Sequence, residues 1–136
     1  MAALSIHHIG IAVEDLDAAA RLWTELFGAV VEHRDVVPDQ GVEAVSLRAG
    51  SARVELLAPL GDDTPAGRFL AKRGPGMHHV AFEVADVAAE LERLRRDGVQ
   101  LIDEAPRRGL FGLQVAFVHP EATGGVLAEF VSDGSK

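Results

Sequence analysis

The stretch His7-His8-Ile9-Gly10-Ile11-Ala12-Val13 returns in the second half of the chain as His78-His79-Val80-Ala81-Phe82-Glu83-Val84. Self-similarity of this length inside one short chain marks a duplicated structural unit. Both copies read as strands, and working outward from either gives the same order. Asp15 and Asp86 stand where an N-cap accepts the first unpaired N–H groups of a helix. Apolar residues then recur at helical spacing: Leu16, Ala19, Leu22, Trp23 and Leu26 in the first half, Val87, Leu91 and Leu94 in the second. Gly28 and Gly98 close the two helices.

Beyond each helix the pattern shortens to strand-like runs. They fall at residues 30–34, 42–47 and 53–57, and again at 100–102, 113–118 and 126–131. Gly-, Pro- and Asp-rich connectors separate them at 38–41, 61–65 and 105–112, and a short helix at about 66–72 links the halves. The reading is βαβββ twice, in modules of about 5–60 and 76–132 that belong to one domain, 1–136. Modules this small bury little core alone. The expected fold is therefore α+β: paired βαβββ modules forming a curved mixed sheet around a cavity.

A chain of 136 residues with 48% hydrophobic and 25% charged residues has the composition of one soluble globular domain. It contains no cysteine, so any metal must be held by His and carboxylate, and a cytoplasmic location is expected. No apolar run approaches the roughly 20 residues of a membrane span, and the N-terminus lacks the order of a signal peptide. Membrane association is therefore not expected. The formal charge of −8 repels polyanions and argues against nucleic acid as a partner. Arg34, Arg48, Arg53, Lys72, Arg73, Arg107 and Arg108 could gather locally around an anionic small ligand. Ordinary solvated surface is the competing reading for most of them.

Strand periodicity orients the histidines. Ile9, Ile11 and Val13 share a parity, as do Val80, Phe82 and Val84, and these rows are expected to cover the helices. His7 and His78 go with them. His8 lies instead with Gly10 and Ala12, and His79 with Ala81, so these two rings are expected to face the cavity. Equivalent late strands of the two halves each carry an internal carboxylate, Glu55 and Glu129. A carboxylate among apolar residues is costly unless paired. Any one of the four alone reads as a hydrogen-bonded side chain. Four at duplicated positions read as a site for a divalent ion such as Co, Mn, Ni, Zn or Fe(II).

The sequence resembles the vicinal oxygen chelate superfamily and, within it, the methylmalonyl-CoA epimerase family over nearly the whole chain. The resemblance is carried by residues 7–13, by Glu55-Leu56-Leu57-Ala58-Pro59-Leu60, by Gly76 to Phe82, and by His119-Pro120 through Gly124-Gly125-Val126-Leu127-Ala128-Glu129. The Gln40-Gly41-Val42 turn and the Gly109 to Gly112 loop add to it. The resemblance implies metal ligation by His8, His79 and Glu129, with Glu55 at a fourth position that the family fills with Gln or Glu. It implies an acyl-CoA substrate, a homodimer, and cobalt first among the ions, with Mn, Ni or Zn as alternatives.

The implied reaction interconverts (2R)- and (2S)-methylmalonyl-CoA through an enolate stabilised by the metal. Inversion needs proton exchange on both faces of that enolate, which two acid/base groups supply. Glu129 is one. For the other the family can use a Glu in the strand after the Gln-Gly-Val turn, where Glu43 is the only carboxylate here. Family members place that group one residue later, at the position of Ala44, and a one-residue slip turns a side chain to the other face. A bulge near Gly41 could restore Glu43, or Glu55 could take the role. His119 reads as structural or ligand-lining. Arg107, Arg108 and the loop Gly109-Leu110-Phe111-Gly112 could meet the CoA arm, or form an ordinary turn.

Three other readings share the fold. A glyoxalase I-type lyase would use similar ligands, and an extradiol dioxygenase would use two His and one Glu on Fe(II). A metal-free small-molecule binding protein would keep the cavity without ligands. The occupied fourth position speaks against the dioxygenase, and four intact ligand positions speak against the binder.

Overall fold

A computed structural model of the chain describes residues 3–133. They fall into two compact units, His8–His78 and the preceding residues together with those from His79 onward. The division thus passes between the two histidines of each repeat.

The first unit holds most of β1 (Ser5–Ala12), then α1 (Leu16–Phe27), β2 (Val30–Val37), β3 (Val42–Ala49), β4 (Ala52–Pro59) and α2 (Pro65–Arg73). Its strands lie in the order β2-β3-β4-β1. β1 runs parallel to β4, and the other neighbours are antiparallel. Asp15 starts α1 by accepting the Ala18 N–H at 3.0 Å, and Gly28 ends it at φ 68°, a left-handed conformation that favours glycine. The helix covers one sheet face through Leu16, which packs with Val13, Ala29, Val45, Leu47 and Leu56. Each large side chain buried there contributes about 1.5–3 kcal/mol relative to exposure. α2 opens on Thr64, whose Oγ1 accepts the Gly67 N–H at 3.0 Å.

The second unit takes up β5 (Gly76–Glu83) at His79 and continues through α3 (Val87–Arg96), β6 (Arg107–Arg108), β7 (Gln114–Val118) and β8 (Ala128–Ser132). Its order, β5-β8-β7-β6 with β5 parallel to β8, repeats that of the first. Asp86 caps α3 through the Ala89 N–H, and Val87 and Leu91 pack with Val84 and Ala116 on the sheet. The α+β class and the paired βαβββ modules are therefore as expected.

The second module departs from the expected strands in one place. The run at 100–102 is reduced to a bridge between Leu101 and Val118, and β6 forms instead within the stretch read as a connector. The cause is Asp103. Its Oδ2 accepts the Phe117 N–H at 2.8 Å, while the N–H groups of Ile102 and Asp103 both turn to the Phe117 carbonyl. A side chain thus takes the place of a ladder partner and ends the strand. Among the described residues no helix is long and apolar enough to cross a membrane.

Candidate active site

Side-chain alternation in β4 sends Val54, Leu56 and Ala58 to the α1 face and leaves Glu55 on the other. The register sets Glu55 beside Gly10 of β1 and Ser46 of β3. His8, two residues before Gly10, shares that face. Its Nδ1 lies 3.2 Å from Glu55 Oε2, with both side chains buried. Small neighbours leave room for this pair, and a carboxylate buried so deeply must be compensated by a partner or an ion. His78 is used differently. Its ring meets Phe69 of α2 edge-on at 5.1 Å.

The second unit repeats the arrangement. Glu129 of β8 stands beside Ala81 of β5 and Phe117 of β7. His79, two residues before Ala81, brings Nε2 to 3.4 Å from Glu129 Oε1, again with both side chains buried. The Phe117 ring lies edge-on to His79 with centroids 5.5 Å apart, at the register position that Ser46 holds in the first unit. Ser46 and Phe117 escaped the reading of the sequence. Both can be found from it, as the residues facing the duplicated glutamates on the preceding strand.

Glu43 is not brought to this face. The β3–β4 register runs unbroken from Val42↔Pro59 to Ala49↔Ala52, so no bulge at Gly41 turns Glu43 over. The one irregularity on β3 involves β2, between Val31 and His33. Glu43 therefore shares the parity of Val45 and Leu47 on the α1 face, where the Arg34 Nε donates to it at 2.8 Å. Arg34 also binds Asp17 of α1 and holds that carboxyl below the usual carboxylate range. The residue on the Glu55 face is Ala44, which is fully buried beside Leu57. Across from Ala44 on β2 is Asp35, a carboxylate on that face which the reading of the sequence passed over.

His119 and Arg107 have structural partners. His119 Nδ1 accepts the Glu121 N–H at 3.1 Å and so starts a short 3₁₀ turn at Pro120–Thr123. Arg107 Nε approaches Asp103 Oδ1 at 3.3 Å. In the following loop Phe111 adopts φ 61°, a left-handed conformation that is strained for an aromatic residue.

Each unit thus presents one buried imidazole–carboxylate pair at equivalent positions. Such a pair can move a proton or furnish one nitrogen and one oxygen donor to a divalent ion.

The profile of the Glyoxalase/Bleomycin resistance protein/Dioxygenase superfamily matches residues 7–117. The mitochondrial methylmalonyl-CoA epimerase of Homo sapiens is 38% identical over 125 residues, 91% of this chain and 71% of that protein. The ethylmalonyl-CoA/methylmalonyl-CoA epimerase of Cereibacter sphaeroides is 36% identical over 91% of this chain and 94% of its own length. Among solved structures, the crystal structure of methylmalonyl-CoA epimerase from Mycobacterium tuberculosis superposes with a TM-score of 0.94 at 37% identity. That match covers 97% of this chain and 89% of the other.

Proposed function

We propose that this chain, which belongs to the methylmalonyl-CoA epimerase family of the glyoxalase/bleomycin resistance/dioxygenase superfamily, interconverts (2R)- and (2S)-methylmalonyl-CoA by moving the α-proton of the malonyl thioester. The observation that carries this reading is the duplicated pair, His8 with Glu55 and His79 with Glu129. Relatives named as epimerases of this substrate support the choice among reactions open to such residues.

The same reading has His8, Glu55, His79 and Glu129 hold one divalent ion within a single domain. The donor set fits it: two imidazoles and two carboxylates, all between 1% and 7% exposed, suit a borderline or hard cation. When bound, the ion supplies Lewis acidity to the carbonyl oxygens of the substrate. Glu129, entering as the carboxylate, takes up the α-proton from one face of the α-carbon, and Glu55, entering as the carboxylic acid, returns one to the opposite face of the planar centre that results. Burial of both groups keeps bulk water away from the planar species and limits side reactions. Glu43 has no part in this scheme, because it is held by Arg34 on the opposite face of β3.

Cobalt as native ion, a cytoplasmic setting and a homodimer complete the proposal. The dimer is supported by the exposed Leu22, Leu26, Phe27, Val30 and Val31 at the end of α1 and the start of edge strand β2. Elemental analysis of desalted protein tests the ion. Conversion of one epimer of methylmalonyl-CoA to the other tests the reaction, and a fully metal-loaded chain that leaves the epimer unchanged contradicts it.

A further inference from the structure

Phe82, Val118, Ala128 and Phe130 floor an apolar cavity of about 270 Å³ on the helix side of the second unit's sheet, with Leu94 and Val99 over it. Ala122 and Thr123 stand at its border. The duplication shows what is missing there. Setting Asp86 on Asp15 places Leu94 of α3 where the first unit has Trp23 of α1. The strand registers likewise set Ala128 against Val54, Phe130 against Leu56, and Val118 against Leu47. In the first unit this space is filled. Trp23 packs against the cluster of Leu47 and Leu56 together with Ile11 and Val54, and its ring meets Phe27 at 5.3 Å between centroids.

We propose that the cavity of the second unit is a binding site for a small, neutral, planar aromatic molecule of indole size. Leu94, Ala128 and Val118 are smaller than their first-unit counterparts Trp23, Val54 and Leu47, while Phe82 and Phe130 are larger than Ile11 and Leu56, and the side chain missing from the helix above this floor is an indole. The lining offers no charge to a ligand. The Thr123 hydroxyl is already committed to the carbonyls of Pro120 and Val126. Apolar cavities of roughly 150 Å³ take up benzene, and this larger, partly open one has the volume for a fused ring. Glu129 borders the cavity through β8 while its carboxylate goes to His79 on the other face, so this site is separate from the candidate catalytic face.

Titration of the full chain with indole, followed by amide and methyl NMR, tests the proposal. Saturable one-to-one shifts centred on Leu94, Val99 and Ala128 are expected. Leu94→Trp, which restores the side chain of the first unit, should abolish them. Ala128→Val narrows the same space and should weaken binding severalfold if Leu94→Trp does not fold. A parental chain that shows no saturable shifts at these residues overturns the proposal, as does a response that both folded variants retain undiminished.

Discussion

Arg34 holds Glu43 through a 2.8 Å hydrogen bond from Nε to Oε2, on the face of β3 that packs toward α1. Because strand side chains alternate and the β3–β4 register is unbroken, Glu43 cannot share the face of Glu55. Glu43→Gln should therefore epimerise methylmalonyl-CoA at the parental rate with metal content unchanged. A tenfold or larger loss of kcat at equal metal content would assign Glu43 a proton-transfer role.

The two buried glutamates should behave otherwise. Glu129→Gln and Glu55→Gln each remove a group that can exchange a proton, an effect of about 10²- to 10⁴-fold on rate. Metal analysis of each variant separates loss of proton transfer from loss of the ion. A variant that keeps both its metal and the parental rate removes that residue from the scheme.

Asp17 supplies a pH signature of the Arg34 network. Its carboxyl is lowered from 3.8, first by the hydrogen bond from Arg34 and then by the guanidinium charge. A group with a lowered folded pKa adds stability that is present above its unfolded value and lost as pH falls through the folded one. The contribution should thus persist at neutral pH and fade below about pH 4, where the unfolded carboxylate begins to protonate. In Arg34→Gln the Asp17 carboxyl, followed by NMR, should titrate closer to its ordinary value. An unchanged titration contradicts the assignment.

Asp103 ends the expected strand by accepting the Phe117 N–H. Asp103→Ala leaves that N–H without its acceptor at a part-buried site, which should cost about 1–3 kcal/mol in urea unfolding. Asp103→Asn keeps an oxygen acceptor and should cost less. Equal stability of all three proteins would mean that the carboxylate does not hold this turn.

How far the sequence could be read follows from the same residues. Both helices were legible because Asp15, Asp86, Gly28 and Gly98 punctuate clear apolar periods, and the four buried His and Glu positions because the chain states them twice. The strand at 100–102 was misplaced because its ladder ends on a side chain, Asp103, and no local period records a contact to Phe117. Glu43 was ambiguous for a related reason. Its face depends on whether a residue is inserted near Gly41, and only the register with β4 answers that. Asp35 was passed over because its alignment with Ala44 depends on the irregularity between Val31 and His33.

The central claim, that the chain moves the α-proton of a malonyl thioester on both faces, is tested most directly by incubating metal-loaded protein with one epimer of methylmalonyl-CoA in deuterated water. NMR should show deuterium entering the α-position together with the appearance of the other epimer, at a rate that falls when His79 is replaced by Ala. An α-proton that stays in place, with neither exchange nor inversion at full metal occupancy, would contradict the account.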